Sequence, residues 1–219
     1  MGADESQVRL DHVIYAAGPD GLAAACDRLS AVVHREAVPG GVHPRFGTRN
    51  AVLRLEDHVY IEIVDVLDHP AADKAPFGRP SRPRSPRAAA GWLGWAVSVP
   101  DIVAVEQRLG RRSVPGNRHR PDGVELRWRQ IGIKGLLNDP ALPFFLQWET
   151  GSESHPAADA PDGLRLERLT LAGSPDSLSD WLGVRVDDEL ADVGLTWVEE
   201  DQPGIVAVHV RTPDGPVHL

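Results

Sequence analysis

The organisation of this chain is visible in one short segment, which reads LDHVIYAAGPDGL at residues 10–22. Its first part is mostly apolar, and Gly18 and Pro19 interrupt the run before Asp20 and a second apolar stretch. A short apolar run bounded by Gly and Pro is typical of a buried strand, and an Asp ahead of apolar residues at helical spacing is typical of a helix start. The segment therefore predicts a strand that leads directly into a helix.

The same pattern returns twice further along the chain. Residues 93–102 read LGWAVSVPDI, and residues 166–178 read LERLTLAGSPDSL. The helix of the first copy is followed by runs that alternate apolar and polar residues, such as AVLRL at 51–55 and VYIEIV at 59–64, which are typical of strands in hairpins. A repeat defines the architecture before any single element is assigned. We therefore expect an α+β protein of repeated βαβββ units, with two full units and a third, shorter one.

The repeats divide the chain into four parts. The first unit covers 8–67, the second covers 91–150, and a third, truncated unit covers 164–219. Between the first two units, residues 68–90 contain five prolines and four arginines. Because proline stiffens a chain and removes backbone donors, this segment is either a solvated linker or an anion-binding lid.

Composition excludes several classes of partner. The chain has 219 residues and a formal net charge of -9, which disfavours a nucleic-acid or anionic-membrane surface. A single cysteine, Cys26, rules out an internal disulfide. The first eight residues are polar and acidic, and no run approaches a membrane span, so we expect a cytoplasmic protein. Because the third unit could cover the edge normally covered by a second subunit, we expect a monomer or a homodimer.

Several short motifs carry a resemblance to a known family. They are the Gly-rich segment with Gly40, Gly41, His43, Pro44, Gly47, Thr48 and Asn50, then Tyr60 with Glu62, Pro121-Asp122-Gly123 with Trp128-Arg129, and Pro143-Phe144-Phe145 with Trp148. With the opening Leu10-Asp11-His12 and the repeated units, they resemble the glyoxalase-like domain subgroup of the vicinal oxygen chelate superfamily, the glyoxalase and bleomycin-resistance fold. The resemblance covers units one and two. It implies cup-shaped mixed sheets around a small molecule and one divalent metal ion, held by a His or Gln from each first strand and a Glu from each fourth strand.

Carried over to this chain, the resemblance places His12 and Glu62 at the two metal positions of unit one. A neutral imidazole and a carboxylate suit Zn, Mn, Fe or Ni. Unit two offers only Leu93, Gly94 or Trp95 on its first strand, so half of the family's ligand set is missing.

The missing ligand leaves two interpretations of the His12–Glu62 pair. A third ligand could be His43 or Asn50, from what we expect to be a Gly-rich loop at 40–50, or His155. Alternatively, His12 and Glu62 act without a metal, either as a buried hydrogen-bonded pair that shapes the cup or by binding a ligand directly.

Two functions follow from these residues. The first is a metal-assisted lyase, isomerase or dioxygenase in which Glu62 and Glu149 are catalytic. The substrate would then be bound by His43, Asn50, Tyr60, Gln147 and Trp95, with Gln147 as the unit-two equivalent of Glu62. The second is a non-catalytic resistance or sequestration protein that holds a small molecule in the same cup.

Overall fold

A computed structural model describes residues 8–44, 46–70, 72, 89–136, 138–186, 189–190 and 193–219. The Pro/Arg-rich segment predicted at 68–90 lies mostly outside these ranges. Within them, no helix has both the length and the apolar character needed to cross a membrane.

Each of the first two units is a strand, a helix and three further strands. Unit one consists of β1 (Arg9–Ala16), α1 (Gly21–Val33), β2 (Val38–His43), β3 (Thr48–Arg54) and β4 (Tyr60–Val66). Unit two consists of β5 (Gly91–Ser98), α2 (Ile102–Leu109), β6 (Val114–His119), β7 (Glu125–Ile131) and β8 (Phe144–Trp148). The Gly-rich segment expected as a loop at 40–50 is instead a hairpin, because β2 and β3 pair along their backbones up to His43 opposite Thr48.

The first two helices begin directly after the predicted Asp, whereas α3 begins at Pro175, one residue ahead of it. The Asp101 side chain accepts the backbone N–H groups of Val103 and Ala104, and this satisfies donors that have no partner inside α2. Asp20 also precedes its helix, but its side chain makes no capping hydrogen bond. The shared start signal therefore predicts position better than it predicts the capping contact.

Units one and two close into a single eight-stranded barrel, with strand order β1-β4-β3-β2-β6-β7-β8-β5. The first strand of each unit runs parallel to the last strand of that unit, and β1 and β5 join the units in antiparallel fashion. His12 lies opposite Tyr60, and Ile14 lies opposite Glu62. Because side chains alternate along a strand, these residues share the inner face of the barrel.

The third unit forms a separate sheet that packs against the outside of the barrel. Its elements are β9 (Arg165–Ala172), α3 (Pro175–Leu182), β10 (Glu189–Leu190), β11 (Val193–Val198), β12 (Gly204–Thr212) and β13 (Gly215–His218). The order is β10-β11-β9-β12-β13, so the last two strands lie on the far side of β9 from the first two. Leu169, Leu171 and Val208 of this sheet share one buried core with Val97 and Phe145 of the barrel. The predicted α+β fold of repeated units around a cup is confirmed.

Candidate functional site

The inside of the barrel is a cup with about 610 Å³ of empty space, its open mouth included. Ile14, Leu93, Phe144, Leu146, Trp128 and Trp148 contribute to a lining that is mainly apolar and aromatic. A few polar side chains, among them His12, His43, Glu62, Arg118 and Gln130, complete it. A largely apolar cavity with a few convergent polar groups is typical of small-molecule sites.

A bulge in β1 precedes His12, whose side chain lines the cup. Leu10 lies opposite Val97 of β5 while His12 lies opposite Ala96, so Asp11 is an additional residue in the pairing. Bulges redirect side chains, and here Oδ1 of Asp11 lies 2.6 Å from Nδ1 of His12.

The protonation of this pair follows from Asp11. Burial raises the pKa of Asp11, but the hydrogen bonds from His12 and His155 outweigh burial and hold the pKa well below its usual range. An ionised carboxylate can only accept, so Nδ1 of His12 carries the proton of their hydrogen bond. Nε2 of His12 is left facing Glu62 and the cup.

His155 lies behind Asp11 and away from Glu62. Its Nδ1 accepts the backbone N–H of Ala157 at 3.1 Å, so its Nε2 carries the proton and lies 3.6 Å from Oδ2 of Asp11. The indole N–H of Trp148 donates to the same oxygen at 2.9 Å. Of the three residues proposed to complete a metal site, His155 is therefore a support for Asp11 and lies outside the cup lining.

Glu62 is the centre of the polar groups inside the cup. Asn50 Nδ2 donates to Oε1 at 2.5 Å, and Nε2 of His43 lies 3.5 Å from that oxygen. Nε2 of His12 lies 3.7 Å from Oε2, and Nη1 of Arg118 lies 3.7 Å from Oε1. Burial raises the pKa of Glu62, but the two histidines, Arg118 and the Asn50 amide together lower it by more than burial raises it. The carboxylate is therefore ionised at neutral pH.

The two aromatic neighbours of Glu62 are neutral at pH 7. Burial lowers the pKa of His43 to about 4, against the opposing attraction of Glu62, and Thr48 Oγ1 lies 3.2 Å from its Nδ1. Burial raises the pKa of Tyr60 well above its usual value. The Tyr60 ring stacks on His12 with 4.6 Å between ring centroids, which holds the imidazole in place.

Sequence reasoning missed Arg118 and Gln130, which are each 2% exposed and line the cup. Gln130 Oε1 accepts the indole N–H of Trp128 at 2.9 Å. Within the described part of the chain, Nε of Arg118 and Nε2 of Gln130 have no hydrogen-bond partner. Strand alternation was the available signal, because Gly116 and Arg118 on β6 face inward with Trp128 and Gln130 on β7.

Two predicted substrate residues, Trp95 and Gln147, and the predicted catalytic Glu149 lie elsewhere. Trp95 is fully buried in the core between the barrel and the third sheet, where its indole donates to the carbonyl of Ala141 at 3.0 Å. Gln147 points to the start of α2, accepting from Ile102 N–H and donating to the Pro100 carbonyl. Glu149 is exposed and follows the end of β8.

Hydrogen-bond register explains the correction for Gln147. Ala17 N–H donates to the Val64 carbonyl, and in unit two Val99 N–H donates to the Leu146 carbonyl. Val64 therefore corresponds to Leu146, and two residues earlier Glu62 corresponds to Phe144. By the same register His12 corresponds to Gly94, so unit two supplies no polar group at either position.

The residues present fit a metal ion poorly. No group of three His, Cys, Asp or Glu side chains that could hold an ion occurs among the described residues. A side chain in place of Gly94 would also require Leu136 to move, because a Cβ there would lie 2.5 Å from Cδ1 of Leu136. Finally, an ion on Glu62 would share that carboxylate with the buried Arg118 guanidinium, and like unit charges 4 Å apart repel by about 4 kcal/mol at an effective dielectric constant of 20.

A barrel closed by two βαβββ units, with a His and a Glu of the first unit inside it, defines a protein of the vicinal oxygen chelate class. The family model described as Glyoxalase-like domain matches residues 10–186. The chain therefore belongs to the glyoxalase-like domain family.

Two solved structures illustrate what the chain is similar to, and the first of them shares its fold. A hypothetical protein from Staphylococcus aureus is 17% identical, with a TM-score of 0.67 over 93% of this chain and 90% of that chain. Methylmalonyl-CoA epimerase from Mycobacterium tuberculosis is 16% identical, with a TM-score of 0.44 over 68% of this chain and 93% of that chain. No curated protein matches the sequence.

Proposed function

We propose that this protein is an enzyme that transfers a proton on a small, largely apolar substrate held in the cup, which is an isomerase type of reaction. The observation that carries the proposal is the Asp11–His12–Glu62 arrangement inside an apolar cavity. Of the three metal-assisted reactions expected from sequence, only isomerisation can proceed by proton transfer alone, so it is the one retained here.

His12 is the base in this scheme. Asp11 accepts the hydrogen bond from Nδ1–H of His12, which orients the ring and directs Nε2 at the cup. A histidine oriented by a buried carboxylate is a common general base, and such groups contribute roughly 10²–10⁴-fold to rate. Stacking on Tyr60 fixes the plane of the ring.

Glu62 serves as the partner of His12. Its Oε2 lies 3.7 Å from Nε2 of His12, so the carboxylate stabilises the imidazolium that forms when the base takes a proton. The Asn50 amide holds Glu62 in place through its donated hydrogen bond. His43 and Tyr60 line the cup and remain the predicted substrate contacts, whereas Asn50 supports Glu62.

A second candidate function is binding without turnover. The observation that favours it is the absence of polar groups at Gly94 and Phe144, the unit-two counterparts of His12 and Glu62. A protein that only sequesters a ligand needs the aromatic wall of Trp128 and Trp148 but no base.

Solvent exchange separates the two functions. A panel of small aldehydes and ketones is incubated with the protein in D₂O, and deuterium incorporation next to the carbonyl is followed by ¹H NMR, while binding is followed by tryptophan fluorescence. The proposed enzyme exchanges at least one compound, and His12→Gln slows that exchange by about 100-fold. His209→Gln, on the third sheet, is the matched control and leaves exchange unchanged.

Fluorescence quenching without any exchange in the wild type would favour the binding protein. Exchange that survives His12→Gln at the wild-type rate would contradict the assigned base.

A further inference from the structure

The geometry points to Arg118 as the electrophile of the cup, in the role for which the superfamily resemblance implied a metal ion. In this inference, which rests on the proposed proton transfer, the guanidinium hydrogen-bonds a carbonyl oxygen of the substrate while His12 removes a proton from the adjacent carbon. The substrate class is then a small, uncharged carbonyl compound with an apolar body.

The need for an electrophile follows from the weakness of the base. Neither the His12 imidazole nor the Glu62 carboxylate is basic enough to remove a proton from an ordinary C–H group. A proton next to a carbonyl becomes accessible when the developing charge on the oxygen is stabilised by fixed donors in a site that excludes water. Without a metal ion, the cup needs such donors from its own side chains.

Arg118 and Gln130 provide these donors. Arg118 is 2% exposed, lines the cup, and places Nη1 3.7 Å from Glu62 Oε1, so its charge lies beside the acid–base pair. Gln130, on the neighbouring strand, is equally buried and lines the same cavity. Within the described residues, Nε of Arg118 and Nε2 of Gln130 are buried donors without an acceptor, which is costly unless a ligand supplies one.

The charges inside the cup select the class of ligand. Arg118 already faces the Glu62 carboxylate, and Asp11 lies behind His12 as a second buried anion. A ligand carboxylate next to Arg118 would meet the repulsion of both anions, whereas a neutral carbonyl accepts a hydrogen bond without adding charge. The apolar and aromatic lining supplied by residues such as Phe144 and Trp148 suits the rest of such a molecule.

The chemical step balances without a further reactant. The C–H bond next to the carbonyl breaks, its proton moves to Nε2 of His12, and its electron pair shifts to the carbonyl oxygen as an enolate held by Arg118. Return of the proton to carbon restores the carbonyl with changed configuration or position. Nothing is oxidised or reduced.

The test uses wild-type protein and Arg118→Met, with Arg49→Met as the matched control, because Arg49 forms a half-exposed ion pair with Asp65 away from the cup. Acetophenone and 1-phenylethanol serve as probes that differ only in the carbonyl, and binding is read from tryptophan fluorescence. We expect the wild type and Arg49→Met to prefer the ketone by at least tenfold and Arg118→Met to lose this preference. An unchanged preference in Arg118→Met would overturn the inference.

A zinc titration by calorimetry gives a second, independent readout. Wild-type protein is expected to bind Zn²⁺ at least tenfold more weakly than Arg118→Met, in which His12, His43 and Glu62 no longer face a guanidinium. Tight, His12-dependent zinc binding by the wild type would overturn the inference in favour of a metal site. If Arg118→Met does not fold, Arg118→Lys, which keeps the charge, should retain part of the ketone preference, and its complete loss there would contradict the role of the charge. Both readouts measure binding, so failure of this inference can be distinguished from failure of the proposed proton transfer, which the exchange assay on His12 tests.

Discussion

The burial of His43 makes the stability of this protein depend on pH in a calculable way. Burial lowers the pKa of His43 from 6.5 to about 4. Between these values the unfolded chain binds a proton at His43 and the folded protein does not, so the free energy of unfolding falls as pH falls. From pH 7 to pH 5 the loss from this one side chain is about 2 kcal/mol, with a limit near 3 kcal/mol at lower pH.

His43→Gln isolates this contribution. The variant loses stability at every pH because the contact with Thr48 Oγ1 and the packing change, but it lacks the titrating group. We therefore expect its stability to decline by about 2 kcal/mol less than that of the wild type between pH 7 and pH 5. Urea unfolding at both pH values, followed by circular dichroism, measures this difference.

The other perturbed groups can be separated from His43. Asp11 and Glu62 have lowered pKa values, so they stabilise the fold above their unfolded pKa values and lose that contribution only as pH falls below about 4.5. The pKa of His209 is lowered in the same direction as that of His43, but this residue is half-buried, so His209→Gln should flatten the pH dependence less. Equal slopes for wild type and His43→Gln would refute the reasoning that His43 is buried and neutral.

Two further predictions test the walls of the cup. Gly116→Ala places a Cβ against the Trp128 indole. We therefore expect the free energy of unfolding in urea to fall by about 1–3 kcal/mol and ligand binding, followed by fluorescence, to weaken at least tenfold. Unchanged binding would mean that Trp128 does not contact the ligand. Gln147→Ala removes the hydrogen bonds to Ile102 N–H and the Pro100 carbonyl. It should therefore lower the free energy of unfolding by about 1–2 kcal/mol and leave ligand affinity unchanged. Weaker ligand binding with unchanged stability would show that Gln147 lines the cup.

What could be predicted from sequence was the architecture and the inward half of unit one. The repeat identified the βαβββ units, and strand alternation together with the family resemblance placed His12, Tyr60 and Glu62 on one face. Asn50 and His43, expected as substrate contacts or as a third metal ligand, both lie beside Glu62, although the hairpin that carries them was expected to be a loop.

The inward residues of unit two were harder to predict, because they do not have the chemical types of their counterparts in unit one. Gln147 and Glu149 are the polar residues nearest the end of β8, but the backbone register makes hydrophobic Phe144 the counterpart of Glu62. A search for another acid or amide could not find a position that had become apolar. Arg118 could not be singled out because arginine supplies nearly all the positive charge in this chain, so a single arginine carries little signal.

One repeated segment shows why side-chain direction could not be predicted from the sequence. Residues 38–43 read VPGGVH and residues 114–119 read VPGNRH, so β2 and β6 are nearly the same sequence at equivalent places. In β2 the pairing shifts by one residue between Pro39 and Gly41, which turns His43 into the cup, whereas β6 pairs with β7 without a shift and turns its last residue, His119, outward. A one-residue shift reverses every side chain that follows.

In unit two, therefore, Arg118 faces inward and is buried, whereas its counterpart in unit one, Val42, is exposed. Two copies of one motif thus deliver a neutral imidazole from one side and a guanidinium from the other, both within 4 Å of the same Glu62 carboxylate. The asymmetry of the cup comes from the backbone pairing as much as from the residues themselves. An aligned pair of sequences shows the residues but not the bulge, and the bulge decides which of them faces the cup.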